Sequence, residues 1–243
     1  MKPELSVILP VFNAGHLLPQ AVHSVRSQGF EALEIVIVND GSTDDTEQVI
    51  DRLGPNIRSF HQENRGPAAA RNTAIRESRG DIIAMIDADD LWPDGKLALQ
   101  LDRLHRDSEL QVVGGRTELV SYDGTSLGPE RFEGDDRRYS TVNLGAALFR
   151  RTAFDRVGLF DESLHFSEDQ DWFLRAREQG LPMLFLKQVT LIYRRHQGNM
   201  TLGKNGHQLM LPEVLRKSLQ RRRAAAKEVS NLKAWSSLDE ELT

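Results

Sequence analysis

The chain contains no cysteine, which excludes a disulfide framework, a cysteine-ligated metal and a cysteine nucleophile together. It has no apolar run near the roughly 20 residues that a membrane-spanning helix needs. Met1-Lys2-Pro3-Glu4 leads straight into a strand-like segment, without the apolar core and cleavage site of a signal peptide; a cytoplasmic protein is the expectation. Positive charge is not in excess. The net charge is −5, so the surface as a whole does not suit a polyanion, and no nucleic-acid partner is expected. No Gly-x-Gly-x-x-Gly follows the first strand, which disfavours a dinucleotide-dependent oxidoreductase. What is present is an ordinary globular composition, 39% hydrophobic and 28% charged over 243 residues, long enough for one large domain or two small ones.

The first part of the chain alternates. Leu5 to Leu9 is a short apolar run closed by Pro10 and reads as a buried strand. His16 to Ser27 has helical spacing. Glu34 to Val38 is a β-branched run ending at Asn39-Asp40-Gly41, and Ser42-Thr43-Asp44-Asp45 offers caps for a helix to about Leu53. Ile57 to His61 is a weaker strand. Gly66-Pro67 opens a helix to about Ser78, proline suiting its first turn, and Asp81 to Ile86 is another strand. Such β-α-β-α-β-α-β order with short connections predicts an α/β fold with a mostly parallel central sheet and helices on both faces.

Further on, Lys96 to Asp107 reads as a helix and Gln111 to Ser121 as a strand, followed by a turn at Asp123-Gly124. The polar stretch from Gly124 to Val142 reads as a mobile loop region, either a lid or a segment that faces an acceptor. Asn143 to Phe149 is small and apolar, Asp169 to Gln179 helical, and Met183 to Tyr193 strand-like. The expected division is a domain over 1–210, with a nucleotide-binding half at 1–95 and an acceptor-side half at 96–210, and a basic helical tail over 211–243.

Ligands of such sheets bind beyond the carboxyl ends of the strands, where three polar clusters lie: Pro10 to Asn13, Asn39 to Ser42, and Asp87-Ala88-Asp89-Asp90. In an extended segment Asp87 and Asp89 would point to one side and could share a Mg²⁺ or Mn²⁺ ion completed by substrate phosphate oxygens. The plainer alternative is a helix-capping cluster, which suits Asp90. Asp40 could accept hydrogen bonds from a nucleobase or ribose, or serve as a turn and cap residue. Arg71 could reach a diphosphate, or be a solvent-exposed helix arginine. Of Glu168, Asp169 and Asp171, one could be a general base; capping is the alternative, and a solvated helix face for Asp171. His196, after two arginines, could ligate metal or meet phosphate, or be structural.

Together these residues resemble the inverting family-two nucleotide-sugar glycosyltransferases of glycosyltransferase-A fold. The resemblance covers residues 4 to 200. It rests on Ser6 to Asn13, Ile35 to Asp44, Asn64 to Asn72, Asp87-Ala88-Asp89, Phe160-Asp161-Glu162 and Glu168-Asp169. It implies that Asp40 contacts the donor base, usually uracil, and that Pro10 and Phe12 shape the nucleotide pocket. Arg71 would lie near the diphosphate or hold the Asp-x-Asp loop. Asp87 would bind ribose or donor sugar, Asp89 would ligate Mn²⁺ or Mg²⁺, and Asp169 would be the catalytic base, with Glu168 the second choice. His196 would be a late metal or diphosphate ligand, assisted by Arg194 or Arg195. The implied partners are a nucleoside-diphosphate sugar, with uridine ahead of guanosine and thymidine, and a glycan or lipid-linked acceptor.

Processive members of that family carry Gln-x-x-Arg-Trp and membrane helices. Gln220-Arg221-Arg222-Arg223-Ala224 lacks the tryptophan, so transfer of a single sugar is expected. The basic stretch from Pro212 to Lys227, with Leu215 and Leu219 on one face, could touch an anionic membrane peripherally or pack on the domain as a solvated helix. Two rivals stand beside this reading. One is a haloacid-dehalogenase-type phosphohydrolase, whose Asp-x-Asp usually closes the first strand. The other is a non-catalytic nucleotide-sugar-binding protein.

Overall fold

Side chains along the first strand, β1 (Leu5–Val11), alternate between two buried layers. Val7 and Leu9 join one apolar cluster and Ile8 the other, and all three are fully buried. A strand buried on both faces needs a helical layer on each. One layer is α1 (Leu18–Arg26), α2 (Thr46–Arg52) and α4 (Lys96–Arg106), which contribute Val22, Ile50 and Leu101. The other is α3 (Pro67–Glu77), α5 (Arg151–Val157) and α6 (Glu168–Glu178), which contribute Ala70, Phe154 and Trp172. The computed structural model describes residues 2–122, 126–129 and 142–225.

β1 pairs in parallel with β2 (Leu33–Asp40) and β4 (Ile82–Met85), and β2 pairs in parallel with β3 (Ile57–Gln62). Beyond β4 the sheet changes sense. A short strand, β7 (Leu148–Arg150), runs antiparallel to both β4 and β5 (Val112–Ser121). β8 (Met183–Arg195) then runs parallel to β5. Two reversals restore the original direction, so β5 and β8 end at the same edge as β1, β2 and β4. Tyr122 and His196 therefore arrive beside the carboxylates that follow β4.

The sequence reading placed a loop across Gly124 to Val142. Ser126–Pro129 instead forms a strand, β6, antiparallel to β5. Its Ser-Leu-Gly-Pro sequence carries no alternation to announce it; the edge of β5 provides the partner. The Asp123-Gly124 turn and residues 130–141 of that region lie outside the described residues, as do 226–243 of the tail. α5 was also not anticipated. It follows β7 directly and, at seven residues with no polar cap, offers neither an apolar repeat of any length nor a start signal.

The aromatic side chains concentrate under α6. The fully buried Trp172 meets the ring of Phe154 at 5.0 Å, Phe149 at 5.3 Å and Phe173 at 5.4 Å between centroids. Its indole N–H donates to the Gly158 carbonyl at 2.9 Å. This anchors the helix whose first turn carries Glu168 and Asp169. The final helix, α7 (Leu211–Ala224), packs on the domain through Val214 and Ser218 and leaves Leu215 and Leu219 exposed.

Candidate active site

Strand ends place the site. Asp40 is the last residue of β2, and Gly41, at φ 76°, turns the chain away; a side chain there would meet the Asn64 backbone nitrogen at 2.8 Å. The Asp40 carboxylate, buried, accepts from the backbone N–H of Gly66 at 2.8 Å, from that of Arg65 at 3.0 Å and from Gln62 Nε2 at 2.7 Å. It thereby shapes the loop that opens α3. Next to it, Thr43 N–H donates to Asn13 Oδ1 at 2.7 Å and Asn13 N–H to Ser42 Oγ at 2.9 Å, which clasps the β1 and β2 loops together. Phe12 stands half exposed on that clasp, 49% accessible, an aromatic face open to a ligand. Pro10 sits behind it, partly buried, in β1.

Arg71 is not the exposed helix arginine of the plainer alternative. It is buried, because α3 presents it inward between two acidic segments. Its Nη2 donates to Asp87 Oδ1 at 2.6 Å and its Nη1 to Glu168 Oε1. The paired carboxylates raise its pKa and keep it cationic against burial. Glu168 is consumed by this contact. Asp169, the next residue, accepts among the described residues only the local Gln170 N–H, at 2.7 Å. Its carboxyl is pushed up to about 7, first by burial and then by the neighbouring Glu168. A carboxyl with a pKa near neutrality suits a general base.

Asp87 and Asp89 do not lie on an extended segment. β4 ends at Met85, and Asp90 N–H donates to the Asp87 carbonyl at 3.1 Å, so the chain turns. Asp87 therefore meets Arg71, whereas Asp89 Oδ2 meets His196 Nε2 at 3.1 Å and Asn199 Nδ2 at 3.1 Å. Gly198 N–H donates to His196 Nδ1 at 3.1 Å, which leaves Nε2 to carry the proton toward Asp89. Burial and the Asp87 charge raise the Asp89 pKa, and His196 opposes them.

Asp90 is not a helix cap. It is buried and accepts from the Arg194 N–H at 3.2 Å, well before α4 begins. Arg194 Nε donates to the Asp89 carbonyl and its Nη1 to Gln20 Oε1. Of the two arginines named from the sequence, Arg195 is exposed at the end of β8 and the buried Arg194 is the one that meets the acidic loop. Strand alternation would have separated the two, had the end of β8 been visible. Asp171 is likewise not on a solvated face: it is buried and paired with Arg175 at 2.8 Å and Arg221 at 3.0 Å. Asn199 and Gln20 were missed altogether, since single amides in loops and helices carry no motif.

Asp89 offers the oxygen donor that Mg²⁺ or Mn²⁺ takes. His196 faces it and would join as a second ligand only by giving up the Nε2 proton that it points at Asp89. Among the described residues no three histidine or acidic groups are arranged around one metal position. An ion held there would draw on at most these two side chains and complete its shell with substrate phosphates or water, as Mg²⁺ sites commonly do.

Known proteins are similar to this chain in sequence and in fold. The profile described as Glycosyl transferase family 2 matches residues 6–158. An uncharacterized glycosyltransferase of Rickettsia typhi is 31% identical over 215 residues, covering 82% of this chain and 66% of its own. A putative teichuronic acid biosynthesis glycosyltransferase of Bacillus subtilis is 34% identical over 151 residues, covering 58% of this chain and 59% of its own. The chain spans from 32% to 70% of the length of the curated relatives it matches first. The S. aureus TarS fragment 1–349 in complex with UDP-GlcNAc superposes with TM-score 0.72 at 21% identity, over 90% of this chain and 65% of that one. A Pyrobaculum calidifontis mannosyltransferase in complex with GDP-Man and Mn²⁺ does so with TM-score 0.66 at 20% identity, over 93% and 76%.

Proposed function

The chain belongs to glycosyl transferase family 2, and from that premise we propose a metal-dependent inverting glycosyltransferase that moves one sugar from a nucleoside-diphosphate sugar to an acceptor hydroxyl. The observation that carries the reading is the division of labour around Arg71: it engages Glu168 and Asp87 and leaves Asp169, with a raised pKa, as the free carboxylate. Asp169 takes the proton of the acceptor hydroxyl as that oxygen attacks the anomeric carbon. The bond from that carbon to the diphosphate breaks on the opposite side, its electron pair leaves on the phosphate oxygen, and the anomeric configuration inverts. A positioned base contributes roughly 10²- to 10⁴-fold.

Asp89 and His196 would hold Mn²⁺ or Mg²⁺, which when bound offsets negative charge on the departing diphosphate. Pro10, Phe12 and Asp40 frame the nucleotide, and Asp87, fixed by Arg71, faces the ribose or donor sugar. The solved relatives in complex with UDP-GlcNAc and GDP-Man support a nucleotide-sugar donor, and uridine diphosphate is the nucleotide we favour. The relative named for teichuronic acid biosynthesis supports a role in cell-surface polysaccharide assembly, with a glycan or lipid-linked acceptor reached from the cytoplasmic side. Among the described residues no helix is long and apolar enough to cross a membrane. Peripheral contact through α7 and its exposed Leu215 and Leu219 is tested by sedimentation with anionic vesicles, and absence of binding at low salt sinks it. Family membership argues against the phosphohydrolase, and the free Asp169 against a non-catalytic binder.

The test is release of nucleoside diphosphate from UDP-N-acetylglucosamine and GDP-mannose in Mn²⁺, with the product anomer read by NMR. Wild type releases nucleotide and inverts; Asp169→Asn does not turn over. Near-wild-type turnover by that variant would show the base to be elsewhere.

A further inference from the structure

α6 begins at Glu168, and the residue before it, Ser167, holds φ 59° and ψ 23°. This left-handed backbone is strained for a residue with a side chain. A serine at a helix N-cap ordinarily adopts extended backbone and uses its Oγ to accept from the first helical N–H groups. Ser167 does neither. It makes no cap bond, and its Oγ instead donates to the Leu209 carbonyl at 2.6 Å. Leu209 precedes Met210, also at φ 59°. Of the four non-glycine residues with positive φ among the described residues, one thus bonds the residue that precedes another.

Strain of this kind persists where the surroundings over-determine it, and it clusters at functional sites. Here α7 supplies the constraint. Arg221 pairs with Glu178 at 2.7 Å and Asp171 at 3.0 Å, both on α6, and Lys217 pairs with Asp161 at 2.6 Å. The helix therefore grips α6 along its length, while Leu209, two residues before α7, holds the start of α6. The same stretch of chain, 196–209, begins with His196 and Asn199 at Asp89. It ties the acidic loop on one side of the site to the helix start on the other.

We propose that Ser167 is a positioning residue: its bond to Leu209 fixes the backbone at the start of α6 and so the direction in which Asp169 presents its carboxylate to the acceptor hydroxyl. The proposal rests on the reading of Asp169 as the base. The expense of a left-handed serine without a cap bond is otherwise unexplained, because an extended Ser167 would cap the same helix at lower cost. Moving Ser167 into that conformation would swing the first turn, and Asp169 with it.

The experiment compares Ser167→Ala, Ser167→Gly and Ser167→Asn with wild type and Asp169→Asn. Glycine removes the left-handed strain, so that variant keeps the fold even where alanine does not. UDP binding in Mn²⁺ is measured by calorimetry, and turnover as UDP release from UDP-N-acetylglucosamine across pH. Alanine and glycine variants should bind UDP within about two-fold of wild type while kcat falls about 10- to 100-fold, a loss confined to the reacting geometry. The acid limb of their pH profile should move to lower pH as Asp169 gains water. Asparagine tolerates the left-handed region and can donate from its amide to Leu209, so it should restore most of kcat. If alanine and glycine variants keep wild-type kcat and pH profile while Asp169→Asn is inactive, the proposal is wrong and the base assignment stands. If Asp169→Asn turns over like wild type, the base assignment itself has failed and the proposal with it.

Discussion

Arg71 donates to Glu168 across 97 positions of chain, and both side chains are buried. That single contact separates two adjacent carboxylates. Glu168 becomes the counter-ion of a buried cation and Asp169 stays available to an acceptor. Removing one partner of such a pair strands the other charge away from water. Arg71→Ala should cost about 3–5 kcal/mol in urea unfolding and abolish transfer. Arg71→Lys should not restore it, since one ammonium does not reproduce the two-pronged geometry.

Turnover and stability should respond to pH in opposite directions. The Asp169 carboxyl lies at about 7, above the ordinary 3.8, chiefly through burial. A base works only when deprotonated, so kcat should rise as pH increases through that value. The folded state binds the proton more tightly than the unfolded chain, so this group's contribution to stability is complete below the unfolded value and lost as pH rises through the folded one. Urea unfolding of wild type and Asp169→Asn at about pH 5 and about pH 8 should show the variant losing less stability over the interval.

Asn199 should matter without touching the reaction. Its amide holds Asp89 Oδ2 at 3.1 Å and the Arg194 carbonyl at 3.1 Å. Residues that orient a metal ligand typically change affinity by about 10- to 100-fold. Asn199→Ala should weaken UDP binding in Mn²⁺ by about that factor, and raising the Mn²⁺ concentration should recover it. A loss that excess Mn²⁺ does not recover would mean that Asn199 acts on the nucleotide and not through Asp89.

Trp172 should carry the stability of the layer around α6. It fills the space among Phe149, Phe154 and Phe173 under α6. Truncating a buried aromatic residue of this size costs about 3–5 kcal/mol, so Trp172→Ala should shift the urea midpoint accordingly.

The parallel half of the fold was legible because its signals are local. Apolar runs of strand length, cap residues and Gly66-Pro67 fall within a few residues of the elements they announce. β6 and α5 were not legible for different reasons: β6 folds back on the neighbouring edge of β5 through a Ser-Leu-Gly-Pro segment that has no strand alternation, and α5 is held by the aromatic cluster around Trp172, on another helix. The site divides the same way. Asp40, Asp87, Asp89, Glu168 and Asp169 stand out as acidic groups at strand ends and a helix start. Whether Arg71 faces solvent or Glu168, whether Arg194 or Arg195 faces the acidic loop, and that Asn199 joins it at all, follow from packing across 97 to 110 positions. No local pattern encodes those distances.

The central claim is that Asp89 and His196 form the metal-dependent part of a nucleotide-sugar site. Calorimetric titration of uridine diphosphate into the protein in Mn²⁺ and in chelator, beside Asp89→Ala, tests it most directly. The account predicts binding in Mn²⁺ that is lost in chelator and in the variant. Failure of uridine, guanosine and thymidine diphosphates to bind under any metal condition would contradict it.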